Sequence, residues 1–175
     1  MNSSDKPLIN RVANSALITV NLENYFPDHL SFVTIDIKDY LFKELILKEK
    51  DFRAALKEMV WEDYTGKTVL LYCSTDAIIP VWAYMLFSAQ LTPYASHIYF
   101  GEKTAFLEEH YNKVIAEVDM SIYEGKRIVI KGCSDKDVPA SAYVTLTRAL
   151  QPHAQSIMYG EPCSTVPIFK RPRKV

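Results

Sequence analysis

One long stretch occurs twice in this sequence, and the repetition constrains the fold more than any other feature. Residues 73–102 align with residues 133–161 after deletion of Ile79 alone. Eleven of the 29 aligned positions are identical, whereas unrelated segments would share about two at average residue frequencies. The shared positions include a Cys-Ser pair, an Ala-Tyr pair and a closing Gly-Glu. The sequence therefore predicts an internal duplication.

Each copy of the repeat predicts a strand, a helix and a second strand. Residues 67–72 are apolar on both faces, which is typical of a central strand covered on both sides. Pro80 suits the first turn of a helix that extends to about Gln90, and residues 96–100 favour another strand. The other predicted elements are helices over 52–62, 105–118 and 139–150 and strands over 126–131 and 156–159. Parallel strands joined by such crossovers predict an α/β fold, an open mostly parallel sheet with helices on both faces.

The first fifty residues predict a β leader that has no counterpart in the repeat. The alternating segment at 16–22 favours a strand, and the one at 30–37 favours either a second strand or a hairpin partner of the first. A short helix is expected from Asp39 onward, and Asp51 is expected to cap the next helix. The predicted organisation is a single α/β domain over 1–175, with parts as follows: leader 1–50, repeat one 51–102, repeat two 105–161, and C-terminal loop and basic tail 162–175.

Composition narrows the classes of function. A net charge of −1 gives no global field for nucleic acid or acidic membranes, and the basic residues 170–174 are expected to be a solvated tail. The N-terminus lacks the apolar core of a signal peptide, and no segment reaches the length of apolar residues that a membrane span requires. These features predict a soluble cytoplasmic protein with neither nucleic-acid nor membrane partners. Three cysteines in such a compartment argue against a disulfide framework.

The cysteines are the candidate functional residues, because all three occur as Cys-Ser shortly after a predicted strand. Cys73 and Cys133 match by repetition, and Cys163 follows the final Gly-Glu. If these positions meet at the carboxyl edge of the sheet, three thiolates and Glu161 would form a metal site, with zinc the first choice and an iron–sulfur cluster the second. Alternative fourth ligands are Glu102, Asp76 and His153. The spacing is not a local metal motif, and whether the protein is an enzyme is left open.

Two other interpretations compete with a metal site. A cysteine at a helix N-terminus could act as a nucleophile, although no arginine follows at the spacing of a phosphatase loop. The cysteines could instead be packed residues of a non-enzymatic homo-oligomeric or partner-binding protein. The helix 80–90 supports this last hypothesis because it is apolar nearly all round and must be covered. We expect Trp82, Met85, Leu86 or Phe87 to contribute to an intersubunit surface or to lie beneath the leader.

Four segments carry a resemblance to a known family: LKEKDFR (47–53), CSTDAIIPVWAYM (73–85), KGCS (131–134) and SIMYGEPCSTVPIFK (156–170). The chain resembles, from about residue 12 to residue 170, a family of small uncharacterised bacterial proteins known only as a domain of unknown function. The resemblance implies a soluble cytoplasmic bacterial protein and supplies no catalytic residues.

Overall fold

A computed structural model describes residues 17–132, 135–161 and 163–172. The chain divides into two compact units. The central unit is Pro27–Leu107, and the terminal unit combines the described residues up to Phe26 with those from Glu108 onward. The helices and strands in chain order are β1 (Leu17–Val20), β2 (Phe32–Asp36), α1 (Glu49–Glu58), β3 (Thr68–Tyr72), α2 (Val81–Leu91), β4 (His97–Phe100), α3 (Lys103–Glu117), β5 (Arg127–Ile130), α4 (Ala140–Leu150), β6 (Ser156–Glu161) and β7 (Ser164–Lys170).

The sheet of the central unit has the order β2-β3-β4, and its strands are parallel. Val69 and Leu71 of β3 point to one face, where they pack with Phe52 of α1 and Phe87 of α2. The opposite face carries Phe32 and Tyr99, and both rings contact Phe106 at the start of α3. Because β3 is buried on both faces, its sequence is a continuous apolar run rather than an alternating one.

The sheet of the terminal unit has the order β1-β5-β6-β7. The first three strands are parallel, and β7 runs antiparallel to β6. One face of this sheet packs against α3 and α4 and forms a hydrophobic core there. Its largest fully buried members are Leu22, Tyr111, Ile128, Ile130, Leu150 and Ile157.

The predicted fold class is confirmed: the protein is α/β with mostly parallel strands. The strands lie in two sheets, however, and not in one continuous open sheet. Among the described residues, no helix has both the length and the apolar character needed to cross a lipid bilayer.

Both strands predicted in the leader form, but the alternative that they pair as a hairpin is wrong. β1 pairs in parallel with β5 in the terminal unit, whereas β2 pairs in parallel with β3 in the central unit. A single turn of 3-10 helix follows both β1 and β2; the side chain of Asn21 caps the first turn, and that of Asp36 caps the second. Each unit therefore begins with its own strand and capped turn.

The short helix expected from Asp39 does not form. Residues 37–40 make the 3-10 turn, and Lys43 and Glu44 then adopt positive φ angles of 53° and 57°, which an α-helix cannot contain. The next helix starts earlier than predicted, because Lys48 and not Asp51 occupies its N-cap. Asp51 lies in the first turn, where its negative charge suits the helix dipole.

The segment after Glu161 was expected to be a loop and a tail, but it forms β7. Pro167 lies in the middle of this strand, which is tolerated because β7 is at the edge of its sheet and the pairing is irregular at Ile157/Met158. The outer edge of β6 is thereby covered.

The expectation that a large apolar residue of helix α2 lies beneath the leader is confirmed for Phe87. Phe87 is fully buried, and its ring lies 5.3 Å from that of Tyr40, a residue of the leader. Trp82 packs against Phe52 at 5.9 Å, whereas Met85 is exposed.

Candidate functional site

Cys73 directly follows β3, as predicted, and begins the turn that leads to α2. Its side chain is half-buried against the core of the central unit. The Sγ atom lies 3.3 Å from Oγ1 of Thr75, so a thiol–hydroxyl hydrogen bond holds the rotamer. The Cys73 thiol is therefore partly accessible to solvent and has a polar partner.

Asp36 lies beside Cys73 because β2 and β3 are neighbours and Asp36 pairs with Tyr72. Its carboxylate accepts the backbone N–H groups of Ser74 and Lys38, each at 3.0 Å. Burial acts to raise the pKa of Asp36, but the hydrogen bonds from Ser74 and Lys38 outweigh it and hold that pKa below its usual value. Asp36 therefore ties the Cys-Ser turn to the neighbouring strand, a role that the sequence analysis missed.

Tyr84 of α2 is the third side chain at the carboxyl edge of the central sheet, beside Cys73 and Asp36. Burial raises the pKa of its phenol, and the proximity of Cys73 and Asp36 raises it further. The phenol therefore stays protonated at neutral pH and can donate a hydrogen bond. Its ring packs edge-on against Phe100 at 5.0 Å.

The corresponding edge of the terminal unit is built from different residues. Asn21 takes the place of Asp36 at the end of β1, and its Nδ2 donates to Glu23 at 3.3 Å. The Glu23 carboxylate also accepts the backbone N–H of Asp135 and lies 3.8 Å from Nζ of Lys131. Cys133 and Ser134 lie between Lys131 and Asp135 in the chain but outside the described residues.

Glu161 and Cys163 flank the turn between β6 and β7. Glu161 ends β6 opposite Ser164, and Cys163 is exposed. Cys73 thus follows a strand of the central sheet, whereas Cys163 follows a strand of the terminal sheet, so they do not leave one common sheet. Within the part of the chain that the structure describes, no three His, Cys, Asp or Glu side chains form a group able to hold a metal ion.

His97 and His153 lie at the amino ends of the strands in their own units. His153, a candidate fourth ligand, pairs with Glu124 at 3.1 Å in the turn before β5, at the amino end of the strands. His97 begins β4 at the amino end of the central sheet. His110 contacts the carbonyl oxygen of Tyr25 at 2.8 Å. The role of His153 as a fourth ligand at the carboxyl edge is therefore wrong.

The family comparison agrees with the resemblance found in the sequence. A family model described as protein of unknown function (DUF2480) matches residues 6–171. No curated protein and no solved structure matches the chain. Because the model spans nearly the whole sequence, the protein belongs to the DUF2480 family.

Proposed function

We propose that this protein functions as a homo-oligomer and that two copies associate through the outer edge of β4 and the exposed face of α2. The observation that carries the proposal is an uncharged edge strand flanked by exposed apolar side chains. Among the described residues, β4 pairs only with β3. Its sequence, His97-Ile-Tyr-Phe100, contains none of the lysines, acidic residues or prolines that usually protect an edge strand.

The terminal unit supports this proposal by showing what covers the matching edge. β6 follows α4 as β4 follows α2, and the antiparallel strand β7 lies on its outer side. The central unit contains no strand in that position among its described residues. An antiparallel strand from a second copy would supply the missing neighbour.

Four of the eight large exposed apolar side chains of the central unit belong to β4, α2 and the loop before α2, and the other four lie in residues 42–60. Phe100 at the end of β4 is 70% exposed although it is aromatic. On α2, Val81 and Met85 are exposed and lie one helical turn apart, and Ile78 in the preceding loop is exposed as well. Burial of these side chains in an interface would stabilise association by about 25 cal/mol per Å² of apolar surface.

A twofold axis accounts for both parts of the surface. Antiparallel pairing of β4 with its symmetry mate joins the two central sheets, and an isologous contact of this kind closes at a dimer. Because α1 and α2 pack on one face of the central sheet, both copies of α2 would lie on the same face of the joined sheet. Val81 and Met85 of the two copies would then be neighbours.

Substitution of Met85 by lysine tests the interface against a matched control. Val144 occupies the same place in α4 as Met85 in α2, and their exposures are similar at 70% and 64%. We expect Met85→Lys to weaken dimerisation by about tenfold or more, because a charge is then desolvated against apolar surface. Val144→Lys should leave dimerisation unchanged. Sedimentation velocity over a range of protein concentrations measures both; a wild-type protein that stays monomeric throughout, or equal losses in the two variants, contradicts the proposal.

Metal binding is a second candidate function, supported by the carboxyl ends of β5 and β6. These strands are neighbours, and the Tyr159 hydroxyl donates to the carbonyl oxygen of Gly132 at 3.1 Å. Gly132 immediately precedes Cys133, while Glu161 and Cys163 follow Tyr159 in the chain. Of the ligands named in the sequence analysis, the proposed site takes Cys133, Cys163 and Glu161, with zinc preferred over an iron–sulfur cluster.

Elemental analysis of untagged protein tests the metal site. We expect about one zinc ion per chain, lost in each of the variants Cys133→Ser and Cys163→Ser because a zinc site needs its thiolate ligands. Ser164→Ala, at the residue that follows Cys163, should retain the metal. Wild-type protein without stoichiometric zinc or iron, or cysteine variants that keep it, would overturn this assignment.

A further inference from the structure

The face of the terminal sheet opposite α3 and α4 carries a groove of about 930 Å³ near the amino ends of β5 and β6. This volume lies within the range of about 300–1,000 Å³ that is typical of small-molecule sites. The residues that line it include Arg127, Lys170 and Arg171, and none of the described lining residues is acidic. The groove is therefore both large enough for a ligand and positive in charge.

The strand register places two of these cations on either side of Ser156. Arg127 pairs with Ser156, and Ser156 pairs with Lys170, so the three residues form one row across β5, β6 and β7. Adjacent strands lie about 4.8 Å apart, which places the Cα atoms of Arg127 and Lys170 about 10 Å apart. Both side chains are long enough to reach a common anion above Ser156.

The third cation has a different function in the groove. The Arg171 guanidinium donates to the carbonyl oxygens of Gln151, Pro152 and Ala154 at 3.0, 2.6 and 3.3 Å. These contacts satisfy carbonyl groups just beyond the end of α4 and fix Arg171 as part of the wall. In contrast, Arg127 and Lys170 are exposed and form no ion pair with any described acidic side chain.

The next row of the sheet is apolar. Met158 follows Ser156 on the same face of β6, and Pro167 pairs with Met158 from β7. Both line the groove, as does Pro172. A ligand that fits this surface has an anionic head toward Arg127 and Lys170 and an apolar body toward Met158 and Pro167.

We propose that this groove binds a small organic anion, with a phosphate or carboxylate head held by Arg127, Lys170 and Ser156. The site lies at the amino ends of β5 and β6, whereas Glu161 ends β6 at its carboxyl end. None of the described lining residues belongs to the proposed metal site, to β4 or to α2, so the inference does not rest on either function proposed above.

Calorimetric titration with phenyl phosphate, benzoate and inorganic phosphate tests the site. We expect phenyl phosphate or benzoate to bind more tightly than inorganic phosphate, because only they fill the apolar row; the tighter of the two identifies the head group. Arg127→Gln and Lys170→Gln should each weaken that binding by about tenfold or more, since a charge-assisted hydrogen bond is lost.

Lys126→Gln is the matched control, because it removes the same charge from an exposed neighbour that does not line the groove. It should change affinity less than about twofold. The absence of binding by both organic anions at millimolar concentration would overturn the proposal. Equal loss in Lys126→Gln would also overturn it, since binding would then reflect overall charge alone.

Discussion

Phe87→Ala should lower the free energy of unfolding by about 3–5 kcal/mol, the usual cost of truncating a buried phenylalanine to alanine. Phe87 is fully buried in the central unit, with the rings of Tyr40, Phe52 and Trp61 at 5.3, 5.4 and 6.2 Å. Its removal leaves a cavity where leader, α1 and α2 meet. Chemical denaturation measures the loss, which is large compared with a typical stability of about 5–15 kcal/mol.

Two controls separate packing from a general effect on α2. Phe87→Leu keeps most of the volume and should cost less than about 1.5 kcal/mol. Gln90→Ala, three residues away on the same helix but exposed, should cost no more than about 0.5 kcal/mol. If Phe87→Ala is no more destabilising than Gln90→Ala, the described core of the central unit is wrong.

Gly160→Ala should destabilise the terminal unit by several kcal/mol and separate β7 from β6. Gly160 has a φ of +121°, and a Cβ atom there would lie 2.5 Å from the carbonyl oxygen of Ser164. That oxygen belongs to the backbone of β7, so the clash can be relieved only if the strand moves. Backbone strain at such an angle adds about 1–3 kcal/mol. Denaturation curves and the amide exchange of residues 164–170 measure the two effects.

Gly101 provides the comparison in the central unit. Gly101 directly follows β4, whereas Gly160 lies within β6. Like Gly160, Gly101 has a positive φ, +141°. A Cβ atom there would meet the ring of Tyr99 at 2.9 Å, which is a side chain and can shift. Gly101→Ala should therefore cost only the backbone strain. Equal destabilisation by the two substitutions would show that the backbone of β7 does not restrict the side chain at position 160.

Periodicity predicted the buried elements well, because burial determines where apolar residues lie. The strand Thr68–Tyr72 and the helices Val81–Leu91 and Ala140–Leu150 start and end within a residue or two of their predicted bounds. Elements whose stability comes from tertiary contacts were missed. β7 contains Pro167, which favours a loop, and it is stabilised by pairing with β6.

The division into two sheets could not be predicted from the repeat alone, because the repeat does not say which strand the leader joins. A second signal was present in the leader itself. Residues 18–25 and 33–40 align without gaps, with Thr19 and Tyr25 matching Thr34 and Tyr40. That alignment predicts one leading strand for each unit, as the structure has it. The internal duplication stays a prediction.

The candidate site was predicted only in part. The position of Cys73 directly after β3 followed from the apolar run that precedes it. Asp36 was missed because its partners, the backbone N–H groups of Ser74 and Lys38, are brought to it by strand pairing and a local turn. The row of Arg127, Ser156 and Lys170 depends on register across three strands, which residue spacing does not encode.

The central claim, association through β4, is tested most directly by NMR-detected amide exchange at increasing protein concentration. Gly101 donates its N–H inward to Leu71, so strand alternation directs the N–H of Tyr99 inward and those of Ile98 and Phe100 to the free edge. We expect exchange at Ile98 and Phe100 to slow as concentration rises, while Gly101 and Tyr99 change much less. If Ile98 and Phe100 exchange at the same rate across the concentration range, the edge of β4 is not the interface.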